Sequence, residues 1–156
     1  MTPAGGPERA AGSKPRDSSA TIQAGLQGEV KLVVAKEHTA QHLGSGAVDV
    51  LATPQMVLLM ERACVAAVDH LLPEGYRTVG ASLNIRHLAP TPIGWETMAT
   101  AELIEVQGRR LNFRVEAYER PPNRPEARPK LVGDGTHQRA IINVQSFNKE
   151  AAGRAR

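Results

Sequence analysis

Aromatic side chains are scarce: the chain of 156 residues holds two Phe, two Tyr and one Trp. Proteins that grip single-stranded nucleic acid stack bases on such rings, and these are too few to build a platform, so no nucleic-acid partner is expected. Cysteine is scarcer still. The single thiol, Cys64, excludes an internal disulfide and fits a reducing compartment, which makes the cytoplasm the expected location. No stretch approaches the ~18 consecutive apolar residues of a membrane span, and the first residues lack the apolar core of a secretion signal. A soluble protein without a membrane partner is expected. Metal-ligand patterns are also missing. His38, His42 and Asp49 share one stretch, but their spacing fits no tetrahedral site and no cysteine assists them, so neither a metal nor another cofactor is expected.

The length argues for one domain, able to bury roughly two thirds of its unfolded surface. The net charge of +3 owes much to the two ends. Residues 1–24, rich in Gly, Pro, Ser and Arg, and residues 150–156 are expected to be disordered tails, leaving 25–149 as the folded domain. A strand is expected over Gly28–Ala35, then a looped stretch to Ala52 broken by Gly44 and Gly46. A helix opens at Thr53-Pro54, with a residue able to cap followed by a proline at the first helical position, and stops before Pro73. Its apolar residues run nearly all round, which calls for a wrapper. Four further strands supply one: Val79–Ala89, Trp95–Val106, Arg110–Arg120 and Leu131–Phe147, separated by short breaks that imply a meander of hairpins. Strand, long helix and four strands make an α+β domain in which a five-stranded antiparallel sheet holds one central helix, the hotdog arrangement. Its open edge and uncovered face call for a second copy of the chain. The proline-rich stretch 121–129 reads as an exposed loop.

Glu61 interrupts the apolar helix. Its wheel neighbours are Val57, Leu58, Cys64, Val65 and Val68, so its carboxylate lies on a face expected to be buried and requires a partner. Alternation over Val79–His87 places Val79, Ala81, Leu83, Ile85 and His87 on the helix side, and Gly80, Ser82, Asn84 and Arg86 on the other. His87 is therefore the expected partner of Glu61, the carboxylate setting the ring's tautomer and basicity. Thr53 adds a hydroxyl at the helix start, but eight residues of helix rise about 12 Å, so Thr53 and Glu61 do not touch within one chain. A site shared between subunits would unite the three. The plain reading of each is a capping threonine and a satisfied core histidine.

Five segments resemble, in order, the fluoroacetyl-CoA thioesterase family of hotdog hydrolases: ATPQMVLLMERAC at 52–64, VGASLNIRHLAPTPIG at 79–94, GRRLNFRV at 108–115, GTHQRAI at 135–141, and Phe147-Asn148. The resemblance spans about Gly28 to Asn148. It implies a homodimer that hydrolyses acyl-CoA thioesters with a Thr, Glu and His constellation and no metal. The threonine falls on Thr53, the glutamate on Glu61 and the histidine on His87, and a glycine lining the acyl pocket falls on Gly80. The match departs after Thr53, at Pro54 and Gln55, and in the length and aromatic content of the segment before the helix. A preference for a fluorinated acetyl group is therefore not carried over. Arg109 and Arg110, in a hairpin, are candidates for the CoA phosphates, with a solvated turn as the alternative. His137 and Arg139, at alternate positions of the last strand, are expected to meet the partner subunit and receive no catalytic role. The Asp-x-Asn-Pro-x-His pattern of hotdog hydratases is missing, and a non-catalytic acyl-CoA binding module is the remaining alternative.

Overall fold

The computed structural model describes residues 22–155. In chain order the elements are β1 (Gln27–Val33), α1 (Ala40–Leu43), α2 (Thr53–Val68), β2 (Tyr76–His87), β3 (Glu96–Gln107), β4 (Arg110–Arg120), β5 (Lys130–Asn143) and α3 (Val144–Arg154). Met56, Leu59, Met60, Ala63, Cys64, Ala67 and Val68 of α2 are buried. They recur at helical spacing, so one stripe of the helix sinks into the sheet. Leu103, Leu111, Phe113, Val115 and Val132 meet it from the inner face of the strands. The opposite stripe is bare: Leu58 and Val65 are 38% and 36% exposed, so the helix is seated on the sheet rather than surrounded by it.

The five strands form one antiparallel sheet in the order β1-β3-β4-β5-β2. Five strands and a central helix agree with expectation, but the meander holds only for β3-β4-β5. β2 pairs with β5 at the far edge and makes no hairpin with β3. The reason lies in the connection, where Pro90 and Pro92 lack the N–H that a tight hairpin needs. Instead the chain crosses the end of the sheet in extended form. Leu88 N–H donates to the Val132 carbonyl at 2.7 Å and Gly94 N–H to the Val34 carbonyl at 2.8 Å, with a bridge between Val50 and Pro92 on the way.

Two boundaries also differ. β5 stops at Asn143, whose side chain accepts the Ser146 N–H and caps α3. The expected strand to Phe147 and the expected tail over 150–156 are thus replaced by a helix that reaches Arg154. At the other end, Ile22 packs into the core at 3% exposure, so the fold begins before residue 25; residues 1–21 lie outside the described residues. The loop at 121–129 lines a groove with Val33, Gly94 and Glu96, on the β1–β3 side of the sheet.

β1 and α2 approach closely at Gly28. A Cβ there would lie 2.1 Å from the Ala63 carbonyl oxygen and 2.7 Å from the Ala67 nitrogen. Both are backbone atoms of a helix and do not move aside singly. Gly28→Ala is expected to destabilise the fold by about 2 kcal/mol or more, seen as a fall in Tm of roughly 5 °C or more in thermal denaturation. Gly153→Ala on α3, where nothing lies within 4 Å, is the control and should leave Tm unchanged or raise it slightly.

Candidate active site

Thr53 opens α2, yet it is not the cap. The N-cap is Ala52, with no side-chain cap bond, and Pro54 occupies the first turn. The threonine hydroxyl instead lies 2.8 Å from His87 Nδ1. The end of β2 delivers the ring: His87 pairs with Gly133, where a Cβ would meet the Met56 sulfur of α2 at 2.5 Å. The absent side chain therefore lets the strand end close on the first turn of the helix. His87 is half-buried, and burial holds its pKa below the usual histidine range, with a weaker opposing pull from the Ala89 backbone. The ring is neutral at pH 7, as a base must be.

Glu61 is elsewhere. Its Oε2 accepts from Arg139 Nη1 at 3.4 Å, and its side chain is 35% exposed while that of Arg139 is 6% exposed. The expected Glu61–His87 pair is thus replaced by Glu61–Arg139. Position along α2 is the cause: Thr53 and Glu61 stand about 12 Å apart on the helix. Opposite Glu61, β2 presents Gly80, paired with Arg139 of β5. A Cβ on Gly80 would meet Glu61 Oε2 at 3.3 Å and His137 Cε1 at 3.2 Å, so the glycine makes room for the carboxylate.

The expected alternation of β2 also breaks. A register shift between Gly80 and Ser82 leaves Ala81 as an extra residue, and a bulge of this kind reverses the faces on one side of it. Ile85 and His87 face the helix as expected, whereas before the bulge Thr78 and Gly80 take that side instead of Val79. This reversal builds the second cluster. Arg139 Nε donates to Thr78 Oγ1 at 2.8 Å and Nη2 to the Thr78 carbonyl at 3.0 Å. Thr78 in turn donates its hydroxyl and its N–H to Asp69, at 2.6 and 3.2 Å. Arg139 Nη1 also lies 3.0 Å from His137 Nε2, and His137 Nδ1 lies 2.8 Å from the Ser82 carbonyl. A carbonyl only accepts, so Nδ1 carries the proton and Nε2 offers a lone pair to the guanidinium. His137 is a neutral brace.

Neither His137 nor Arg139 received a catalytic role from the sequence. Their available signal was a cation and an imidazole alternating on a strand whose inner face is otherwise apolar. Arg109 and Arg110 are exposed at the hairpin end, and Arg110 Nη1 donates to Gln138 Oε1 at 2.9 Å. They are not brought to Thr53 or to Glu61. His38 Nδ1 accepts the Ala35 N–H at 2.9 Å, closing a local turn. Burial pushes the Cys64 thiol up to about 12, so it is an inert packing group.

Burial, helped by the Arg139 charge, also lowers the pKa of His137 against the opposing pull of the Ser82 carbonyl and of Glu61. Unfolding returns both lowered histidines to about 6.5. Between the folded and unfolded values the unfolded chain binds more protons, so stability is fully present above about pH 6.5 and is lost as pH falls through the folded values. Tm measured from pH 7.5 to 5 should decline. His137→Asn, which keeps a donor for the Ser82 carbonyl and removes the titration, should flatten the decline.

Beside the Thr53–His87 pair opens a cleft of about 360 Å³, walled by the segment before α2 and by Leu88, Ala89 and Pro90. With this geometry in place, comparison with known proteins identifies relatives. The family model for fluoroacetyl-CoA-specific thioesterase, FlK, matches residues 34–145. The fluoroacetyl-CoA thioesterase of Streptantibioticus cattleyicolor is 41% identical over 100 residues, spanning 64% of this chain and 66% of that protein. The aligned part is therefore slightly under two thirds of that relative's length. A crystal structure of the fluoroacetyl-CoA thioesterase FlK matches with TM-score 0.73 and 34% identity over 85% of this chain and 96% of the other. A hot-dog-like protein from Thermanaerovibrio acidaminovorans shares the fold, with TM-score 0.75 and 22% identity over 88% and 96% of the two chains. This chain belongs to the fluoroacetyl-CoA-specific thioesterase family and has the hotdog fold.

Proposed function

We propose that the chain hydrolyses the thioester of a small or short-chain acyl-CoA to free acid and CoA, at a site shared by two copies of the chain in the cytoplasm. The observation that carries the reading is the 2.8 Å contact between Thr53 Oγ1 and His87 Nδ1, made by a threonine that caps nothing and a histidine whose burial keeps it neutral. A hydroxyl against a neutral imidazole is the pair that delivers a nucleophilic oxygen to a carbonyl. Relatives named for fluoroacetyl-CoA, and a solved relative in complex with acetyl-CoA, support an acyl-CoA substrate.

In this scheme His87 takes the proton as oxygen, from Thr53 or from a water it holds, adds to the thioester carbonyl, and gives it to the CoA sulfur as the C–S bond breaks. Where Thr53 is the nucleophile, a water deprotonated by His87 then cleaves the acyl-threonine ester to the free acid and restores the hydroxyl. N–H groups in the first turn of α2, lacking partners within the helix, receive the developing oxyanion. Glu61 and Gly80 join from the second copy. β2 is an edge strand, with Gly80 near the middle of its pairing with β5 and His87 at the end of it. Antiparallel pairing of β2 with its own copy about a two-fold axis would carry Gly80 and Glu61 of one copy toward Thr53 and His87 of the other. Leu58, Val65 and Leu83, exposed at 38, 36 and 45%, would be covered by the same contact.

Release of free thiol from acyl-CoAs tests the chemistry. Thr53→Ala and His87→Ala should each cut kcat/KM by about 10²- to 10⁴-fold, and binding without thiol release would instead mean an acyl-CoA binding module. Because protonation removes the base, kcat/KM should fall about tenfold per pH unit below a midpoint lying under 6.5; a flat profile from pH 5 to 9 would eliminate His87. Co-expressing His87→Ala with Glu61→Gln tests the sharing. Mixed dimers then hold one intact site, and about a quarter of wild-type activity should return, whereas a site contained in one chain would show none.

A further inference from the structure

The cleft beside Thr53 and His87 has a composition that the chemistry above does not use. Resting on the thioesterase reading, we infer that this cleft holds the acyl group and selects an unsubstituted aliphatic acyl chain of about four to six carbons, in preference to acetyl, fluoroacetyl or carboxylated groups.

Walls and size lead there together. Apart from Thr53 and His87, the lining side chains are aliphatic or small, among them Val48, Val50, Leu51 and Leu88, and Ser45 alone adds a polar side chain. Among the described residues, no carboxylate, ammonium or guanidinium group lines it, and no aromatic ring other than the His87 imidazole. Of the two arms of an acyl-CoA thioester, the pantetheine arm carries amides that need hydrogen-bonding partners, so it is the poorer occupant of such a wall. The acyl arm belongs there. Without a cation the cleft gives a carboxylated acyl group nothing in exchange for its water. Its volume is about 360 Å³, while a cavity of roughly 150 Å³ suffices to hold benzene. A two-carbon group would leave most of that space to water, and each added methylene removes more apolar surface from it.

The wall is also tied down. Ala40 N–H donates to the Val50 carbonyl at 2.9 Å, Ser45 N–H to the Ala40 carbonyl at 2.9 Å, and Leu51 N–H to the Thr91 carbonyl at 2.9 Å. Thr39 caps α1 through its side chain, which accepts the His42 N–H at 3.3 Å. Bonds that hold the segment to itself and to the crossover leave a shaped wall rather than a loose flap, so side-chain size at Val48, Val50 and Leu88 sets the length of chain admitted.

The test is a kcat/KM series over acetyl-, fluoroacetyl-, propionyl-, butyryl-, isovaleryl-, hexanoyl-, octanoyl-, succinyl- and benzoyl-CoA, read as free thiol. Each methylene from acetyl to hexanoyl should raise kcat/KM about three- to fivefold, with a fall by octanoyl and a low value for succinyl. Val48→Phe, which narrows the cleft at a half-exposed position, should lower the hexanoyl-to-acetyl ratio at least tenfold. Leu88→Ala, which widens it, should move the optimum to a longer chain. A maximum at acetyl, fluoroacetyl, succinyl or benzoyl, or ratios unmoved in both variants with Tm retained, overturns the inference while leaving the thioesterase reading intact. No thiol release from any member sinks that reading instead.

Discussion

A straight helix laid against a sheet imposes the spacing on which everything else depends. α2 is a rigid rod with a fixed rise per residue, and its buried stripe and the backbone contact at Gly28 fix where along the sheet each residue falls. Thr53 and Glu61 consequently remain about two turns of helix apart. Each meets whichever strand position lies opposite it: His87 at the start of α2, and Gly80 and Arg139 further along. In the proposed reading this separation leaves each chain with two partial sites, which pairing of edge strands between copies would complete.

Arg139 anchors the second of those partial sites. A guanidinium at 5% exposure needs partners for its donors, and here Thr78, His137 and Glu61 take four of the five N–H groups. Asp69 orients Thr78 from behind, so a buried carboxylate and a buried guanidinium are joined through one hydroxyl. Glu61 is the exposed end of that chain. It presents one edge to Arg139 and the rest toward open space beside Gly80, a position suited to a group from a second copy or from a substrate. The outer face of the sheet contrasts with this arrangement, since Arg86–Asp134, Arg114–Glu102 and Lys31–Glu29 pair there in solvent, where such pairs contribute little to stability.

The helix was readable in advance because apolar residues at helical spacing, a proline in the first turn and Pro73-Glu-Gly75 beyond its end all agree. The five strands were readable for the same reason. Strand order was not, since β2 and β3 are neighbours in sequence and only the prolines between them hint at a crossover. At the site, Thr53 and His87 were both singled out, with Glu61 as the expected partner of the ring, whereas the structure sets the ring against Thr53. Alternation predicted the side of His87 and missed that of Gly80, because one extra residue at Ala81 reverses the pattern and leaves no mark in composition. Arg139 was overlooked because a strand arginine is usually solvated, and nothing in the primary structure announces that Thr78 and Asp69 will enclose it.

Local chemistry and periodicity, which act between residues a few positions apart, are determined by the sequence alone: one long helix, five strands, an inert Cys64, and a carboxylate on an apolar helix that must find a counterpart. Tertiary structure decided who that counterpart is. Partner choice depends on the register of strands distant in sequence and on where along α2 each strand crosses, and both are set by packing of the whole sheet on the helix rather than by any segment's own preference.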